Sequence, residues 1–254
     1  ADAAPNAFAT GIKPENSAIA VTAGLLGTLN RDELQGVVAH EMSHIINRDV
    51  LVMTFAGMML GAITLMAEVF TRSLWFGGGS RYKSKSSDKG GQAQIIILVL
   101  AIALAILGPI MAQLLYFAIS RKREYLADAS AVRLTRYPDG LASALEKISG
   151  SNLDLKTANK VTAPMYIINP LKKKGMQLSN VTSTHPPITE RINILRSMTQ
   201  GVNYANYQNA FNSVKGKTSG LIPQSGLTDS SKISLRDSEL SQTSFETDKQ
   251  VKRE

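Results

Sequence analysis

The sequence contains no cysteine, so disulfide bonds and thiolate metal ligands are both excluded. Any bound metal ion must therefore be held by nitrogen and oxygen atoms. Aromatic residues make up only 6% of the 254 residues, and no basic cluster alternates with aromatic residues as a groove for single-stranded nucleic acid would require. The net charge of +8 is therefore better explained by anionic lipid or a basic surface than by nucleic acid.

Charge is almost absent from two long blocks of the chain. Residues 50–70 contain one charged side chain, Glu68, and residues 94–119 contain none, although Pro109 lies inside the second block. At 1.5 Å per helical residue each block can cross a hydrocarbon core about 30 Å thick. We therefore predict a membrane-spanning helical hairpin, with a buried hairpin in a soluble protein as the alternative. Residues 71–93 are rich in Gly, Ser and Lys and predict a loop.

A signal peptide is also lacking, and no long apolar segment precedes Leu51. We therefore expect the sequence to begin inside a longer protein. Residues 7–12 and 18–22 predict two short strands around a turn at residues 13–16. Asn30 and Glu33 then form a capping-box pattern, which predicts a helix that continues through Ile45.

The predicted helix carries the segment His40-Glu41-Met42-Ser43-His44. A spacing of four places both imidazoles on one helix face, one turn apart, where they can bind one zinc ion. Glu41 is then beside the metal and positioned to accept a proton from its bound water. The alternative, two solvent-exposed histidines, fits poorly because the surrounding residues are mostly apolar and predict a buried helix.

A catalytic zinc site needs a third protein ligand. Glu124 and Asp128 lie on one face of the helix predicted after the second apolar block, so Glu124 can bind zinc while Asp128 accepts the ring N–H of a ligand histidine. The alternative is that Glu124 pairs with Arg121 or Arg123 on a solvated face. The hairpin topology favours the ligand role, because it returns the chain to the side of the membrane that holds His40.

The third histidine, His185, precedes two prolines and a further predicted helix. It is either a structural residue that caps this turn or, together with Arg191, a group that stabilises the oxyanion of a tetrahedral intermediate. From about residue 200 onward the chain is dominated by polar residues, and this composition predicts disorder. We therefore expect four regions: residues 1–49 and 120–199 as the two parts of a catalytic domain, 50–119 as the hairpin, and 200–254 as a tail.

Several motifs occur together in one order along residues 1 to about 198. They are Asn6-Ala7-Phe8-Ala9-Thr10-Gly11, His40 to His44 with Asn47-Arg48-Asp49, Arg123-Glu124-Tyr125 with Ala127-Asp128, and Thr184-His185-Pro186-Pro187 with Arg191. In this the sequence resembles the HtpX-like membrane metallopeptidases, bacterial relatives of the C-a-a-X prenyl protease. The resemblance does not extend to the polar tail.

The resemblance implies a fold and a set of roles. The fold is mainly α with a small β-hairpin near the N-terminus, in which a zincin-like (gluzincin) catalytic domain is interrupted by the hydrophobic hairpin. The disordered tail that follows is expected from composition alone. The roles are zinc binding, one ion per chain, by His40, His44 and Glu124, proton transfer by Glu41, and support by Asp128. His185 and Arg191 would lie near the oxyanion, and the strand at Asn6, Ala7, Phe8, Ala9 and Thr10 would bind an extended substrate.

The implied function is a zinc endopeptidase of the bacterial inner membrane whose active site faces the cytoplasm and whose substrates are misfolded or membrane-associated proteins. Three alternatives stay open: a metal-dependent hydrolase of a lipid or small amide, a catalytically silent zinc scaffold, and a narrower C-a-a-X processing enzyme. Glu41 argues against the scaffold, because a structural zinc site needs no base. The expected partners are polypeptides and the lipid bilayer, and the sequence specifies no oligomeric state.

Overall fold

The computed structural model describes residues 2–77, 91–151, 183–199, 201–216, 220–228 and 235–236. Within these residues the fold is mainly helical, with one two-stranded antiparallel sheet at the N-terminus, as the sequence predicts. Strands β1 (Ala7–Thr10) and β2 (Ala18–Val21) pair in a register that sets Ala7 opposite Val21, and a 3-10 turn joins them. A short helix, α1 (Ala23–Thr28), follows and is capped by the Thr22 side chain.

Helix α2 (Arg31–Ile46) begins with the predicted capping box. The Asn30 side chain accepts a hydrogen bond from the Glu33 backbone, and the Glu33 carboxylate accepts one from the Asn30 backbone. These bonds satisfy two N–H groups that a helix start otherwise leaves without partners. Helix α2 therefore starts at a fixed residue, which in turn fixes the face on which its histidines lie.

Two long apolar helices follow α2. Helix α3 (Asp49–Gly77) and helix α4 (Gly91–Thr135) pack against each other, and both are long and apolar enough to cross a membrane. Their apolar segments are not buried by the described protein, which does not fit the alternative of a buried core hairpin. Helix α4 continues through Pro109 without a break. The separate helix expected after the second apolar block is therefore the last part of α4. The predicted loop at residues 71–93 is too long, since residues 71–77 and 91–93 belong to α3 and α4, and residues 78–90 lie outside the described residues.

The main core of the described residues lies between α2, α4, α5 (Pro138–Gly150) and α6 (Ile188–Arg196). Val37, Leu141, Leu145 and Ile194 are among its fully buried side chains. Helices α2 and α5 cross closely at Gly36, where an added Cβ would lie 2.7 Å from a backbone nitrogen of α5. This close crossing brings the C-terminal part of the chain against the face of α2 beside its histidines.

The beginning of the predicted disordered tail is folded instead. Residues 201–228 include helix α7 (Tyr204–Lys215) and the short helix α8 (Gln224–Leu227). Although the segment is polar overall, its few large apolar residues fall on one helical face, where Tyr207 and Phe211 are buried in the core. The Asn203 side chain caps the start of α7, and Gly216 ends it with a positive φ. Residues 237–254 of the tail lie outside the described residues.

Candidate metal centre

Helix α2 places His40 and His44 one turn apart on the face that packs against α4. Their Nε2 atoms lie 3.2 Å apart and their rings meet edge to face. His40 is completely buried and His44 is mostly buried. Two imidazole nitrogens therefore converge at one point, as the spacing of four predicts.

Glu124, on α4, completes this group. Its carboxylate oxygens lie 3.7 Å from His40 Nε2 and 3.6 Å from His44 Nε2. The three ligand atoms all lie within 4.8 Å of one another, so one metal ion could bind all three. Two nitrogens and one carboxylate oxygen are a ligand set that catalytic zinc sites use, so the residues fit this metal.

Glu41 lies beside the three ligands and is also buried. Burial raises the pKa of its carboxyl group, and the positive charge of the neighbouring histidines opposes that rise. The backbone N–H of Ala9 donates a hydrogen bond to the Glu41 carboxylate. Strand β1 therefore fixes the position of the predicted base.

Each histidine has a carboxylate behind its ring. Asp128 Oδ1 lies 3.0 Å from His40 Nδ1, which is the type of contact that the sequence predicts for Asp128. Asp49 Oδ2 lies 2.7 Å from His44 Nδ1, and Asp49 is the first residue of α3. Both contacts leave the Nε2 atoms facing the metal position and fix the ring orientations. Sequence reasoning assigned no role to Asp49 because the contact depends on the turn between α2 and α3.

That turn is sharp. Arg48 has a φ of 53°, a left-handed conformation that costs free energy in a residue with a side chain. This backbone conformation turns the chain so that Asp49 lies against the last turn of α2. Arg123 of α4 pairs with Asp49 and donates a hydrogen bond, 2.7 Å long, to the carbonyl of Asn47. The alternative in which Glu124 pairs with Arg123 is therefore not supported.

Arg191, on α6, is buried among the acidic groups. Its Nε and Nη2 donate to the two oxygens of Asp128 at 2.8 and 2.7 Å, and its Nη1 donates to Glu124 at 3.2 Å. Bidentate pairs of this kind are strong and directional. Arg191 therefore lies at the site, where it holds the two carboxylates and its Nη2 also lies 3.3 Å from His40 Nε2. Its contribution to an oxyanion stays a prediction.

His185 lies at the edge of the site. Its Nε2 is 4.0 Å from a Glu124 oxygen, and its Nδ1 is 3.0 Å from the Thr184 hydroxyl. Helix α4 holds the turn in place, because Ser120 and Arg121 donate hydrogen bonds to the carbonyls of Thr184 and Ser183. The geometry is compatible with both predicted roles for His185, a turn-capping residue and a polar group beside the metal.

The strand at residues 6–10 borders the site. Asn6 is buried, and its side chain accepts a hydrogen bond from the Ala7 backbone, so it shapes the strand. The carbonyl of Asn6 accepts a hydrogen bond from Thr22. Because backbone groups alternate in direction along an antiparallel strand, the peptide groups of Ala7 and Ala9 face away from β2. One edge of β1 therefore points toward Glu41.

The charges of the site are strongly coupled. Burial and Arg191 lower the pKa of His40, but hydrogen bonds to Asp128 and Glu124 outweigh both and raise it to about 9. Burial, assisted by His40, lowers the pKa of His44. The carboxylates therefore favour positive charge at this position, and a divalent ion held by His40, His44 and Glu124 would supply it in place of a proton on His40.

Residues 1–199 match the family model described as peptidase family M48. The chain is 50% identical to a protein named "Protease HtpX homolog" from Dictyoglomus turgidum over 197 residues, which is 78% of this chain and 61% of that protein. It is also 50% identical to one of the same name from Caldanaerobacter subterraneus subsp. tengcongensis, over 77% of this chain and 63% of that protein. It is 46% identical to one from Lactobacillus helveticus, over 78% of this chain and 65% of that protein.

No solved structure matches the chain. The chain spans less than two thirds of the length of these relatives, so their similarity concerns the part that holds the metal centre. A match over 199 of 254 residues nevertheless covers the ligands, the neighbouring acidic residues and both apolar helices. The chain belongs to peptidase family M48.

Proposed function

We propose that this chain is the catalytic part of a zinc-dependent membrane endopeptidase. The observation that carries the proposal is the convergence of His40, His44 and Glu124 within 4.8 Å, next to the buried Glu41. The three side chains would hold one zinc ion per chain. When bound, zinc supplies Lewis acidity, which polarises a carbonyl group and lowers the pKa of water.

The side chains around the ligands then have distinct tasks. Glu41 is the general base, and the Ala9 N–H holds its carboxylate in place. Asp128 and Asp49 hold the two imidazoles with Nε2 toward the metal. His185 is close enough to act on developing negative charge, whereas Arg191 acts mainly by holding Asp128 and Glu124.

The substrate proposed for this site is an extended polypeptide. Among the described residues β1, residues 6–10, pairs with β2 on one side, and its other edge lies next to Glu41. An extended chain can add to such an edge by backbone hydrogen bonds. Because the N–H groups of Ala7 and Ala9 already donate to Asn6 and Glu41, the added chain would bind the carbonyl groups of this edge or displace these contacts. This recognition depends little on side chains. It therefore suits misfolded or membrane-associated proteins, whose backbones are accessible in many sequences.

The proposed arrangement in the cell follows from the two apolar helices. Residues 1–49 and 120–199 form one catalytic unit, and residues 50–119 anchor it in the bilayer. We place the anchor in the bacterial inner membrane with the metal centre on the cytoplasmic side. Basic residues near the membrane ends on the catalytic side favour this orientation, although only slightly.

The function is tested by the change Glu41→Gln in the full chain, in membranes or detergent. Zinc content should stay near that of the wild type, while cleavage of an unfolded model membrane protein falls by roughly 10²–10⁴-fold because the proton acceptor is lost. Glu15→Gln makes the same chemical change at an exposed position and should leave cleavage unchanged. Cleavage by Glu41→Gln at the wild-type rate would remove Glu41 from the mechanism.

The orientation is tested separately. Ser213 lies on the exposed face of α7, and the chain has no cysteine of its own. A Ser213→Cys variant should escape an impermeant thiol reagent in spheroplasts with intact inner membranes and react once those membranes are permeabilised. Labelling of the intact spheroplasts would place the catalytic side outside the cytoplasm.

A further inference from the structure

Helix α7 begins after the last residue that matches the family model, residue 199. It is nevertheless part of the core, since Tyr207 is fully buried and Phe211 nearly so. The chain after it is held as well, because the Gln208 side chain accepts hydrogen bonds from the backbones of Leu221 and Ile222. This segment is therefore a specific addition to the catalytic unit.

The first turn of α7 contacts α4 close to Asp128. The hydroxyl of Tyr204 lies 3.2 Å from the hydroxyl of Ser130, which is two residues after Asp128. The Arg133 guanidinium lies over the Tyr204 ring, 4.9 Å from its centroid. The start of α7 is thus tied to the half of α4 that carries the metal centre.

The other end of α7 contacts the residues next to Glu124 and Arg191. Tyr125 follows Glu124, and its hydroxyl donates a 2.6 Å hydrogen bond to Glu190, which precedes Arg191. Lys215, in the last turn of α7, pairs with the same Glu190 carboxylate, and its ammonium lies 5.7 Å from the Tyr125 ring centroid. Phe211 packs edge to face on Tyr125 at 5.0 Å.

We propose that α7 braces the metal centre, with Lys215 and Tyr204 as positioning residues that hold α4 and α6 in the arrangement that zinc binding requires. The inference rests on the proposed zinc site. Asp128 and Glu124 lie on α4 while their partner Arg191 lies on α6, so the three side chains stay together only if the two helices keep their relative position. The contacts of α7 are made to residues next to, or two positions from, Asp128, Glu124 and Arg191.

Metal affinity separates a brace from an ordinary stabilising contact. A contact that only stabilises the fold stabilises the metal-free and metal-bound forms equally, so its loss leaves the zinc dissociation constant unchanged. A contact that holds the ligands in place is worth more in the metal-bound form. Its loss therefore weakens zinc binding even at temperatures well below unfolding.

The experiment measures zinc affinity by competition with a chromophoric chelator, and unfolding of the metal-free protein, in the full chain. Tyr125→Phe removes the charge-assisted hydrogen bond that joins α4 directly to α6, so it measures how strongly zinc binding depends on their arrangement and should weaken it roughly 10-fold. Lys215→Ala removes a partly exposed ion pair and should weaken it roughly two- to fivefold. Lys215→Arg keeps the charge and should restore most of the affinity. Tyr204→Phe removes only the hydroxyl contact with Ser130 and should have the smallest effect.

Asn209→Ala is the matched control, since Asn209 lies on the exposed face of α7 and its substitution should change nothing. In the positioning variants kcat should fall with zinc affinity, while KM for an unfolded protein substrate stays constant. If Lys215→Ala lowers the unfolding temperature but binds zinc as the wild type does, the brace is wrong and α7 is only part of the core, whatever the effect of Tyr125→Phe. Failure of the wild type to bind zinc would instead overturn the proposed function.

Discussion

Helix α4 is one continuous helix of 45 residues whose two halves lie in different surroundings. In the apolar half, residues 95–119, large side chains such as Ile96 and Leu107 are more than half exposed in the protein. In the metal half, residues 120–135, the polar side chains of Glu124 and Asp128 are buried together with Tyr125. Large apolar side chains are exposed in the apolar half, and carboxylates are buried in the metal half. Both observations are the opposite of what is usual in a soluble protein.

This difference reflects the surroundings of each half of α4. The apolar half fits a bilayer, where exposed Leu and Ile are favourable and a helix pairs its backbone groups internally, except at Pro109, which has no N–H to donate. The metal half buries two carboxylates, which is costly unless each is paired, and Arg191, His40 and His44 provide the partners. The secondary structure is the same, and only the partners of the side chains differ.

The largest effect should come from removing a ligand in the metal half. Glu124→Ala leaves two histidines to hold the metal, so zinc affinity should fall by more than the roughly 10–100-fold that loss of a ligand's hydrogen-bond partner costs. Metal content after dialysis and cleavage of an unfolded protein measure this. Glu146→Ala, an exposed carboxylate on α5, is the control. Full metal content in Glu124→Ala would mean that a different group is the third ligand.

The same substitution in both halves tests the comparison directly. A lysine near the centre of a membrane helix costs roughly 2.5–3.5 kcal/mol, so Leu107→Lys should lower the fraction of protein that resists extraction from membranes at alkaline pH. Leu134→Lys, near the end of the metal half, changes a side chain that is 53% exposed and should be tolerated. Equal tolerance of the two lysines would contradict a lipid environment for the apolar half.

A smaller effect is expected from the carboxylate behind His40. Asp128→Asn keeps the size of the side chain but loses the charge that pairs with Arg191, so zinc affinity should fall roughly 10–100-fold with the fold intact. Circular dichroism and chelator competition measure the two quantities. Asp139→Asn, which alters an exposed pair with Arg196, should leave zinc affinity unchanged. A wild-type affinity in Asp128→Asn would show that the charge of Asp128 is not needed.

The smallest effect concerns a side chain packed against the metal half. The Tyr207 hydroxyl is buried and has no hydrogen-bond partner among the described residues, and burial raises its pKa well above the ordinary value. An unsatisfied buried hydroxyl costs stability, so Tyr207→Phe should leave the free energy of unfolding unchanged or raise it by about 1 kcal/mol. Thermal unfolding measures this. A clear loss of stability would show that the hydroxyl has a partner.

Much of this arrangement could be predicted from the sequence because its causes are local. The capping box at Asn30 and Glu33 and the spacing of His40 and His44 act within one helix. The pairing of Glu124 with these histidines is not local, and it was predicted from the topology of the hairpin. The first strand was also predicted from its residue pattern, and the motifs that resemble a family added only the substrate-binding role of residues 6–10.

Two features were missed for different physical reasons. Helix α7 was judged by its polar composition, although the spacing of Tyr204, Tyr207, Phe211 and Val214 by three or four residues was a visible signal for a helix with one apolar face. The contact of Asp49 with His44 depends on the left-handed conformation of Arg48. No residue pattern indicates that conformation, because most residues other than glycine avoid it.

Because α4 is continuous, it also determines how far the metal centre lies from the end of the apolar half. At 1.5 Å per residue the helix is about 68 Å long, more than twice the roughly 30 Å thickness of a hydrocarbon core. Glu124 lies five residues beyond residue 119, where the apolar half ends, and this corresponds to about 7.5 Å. In the proposed membrane arrangement, α4 would therefore hold the metal centre at about the level of the lipid headgroups. If the proposed peptidase function holds, a polypeptide would be cut only where its backbone reaches the surface of the bilayer, so access to that thin layer would select the cleavage site before any side chain does.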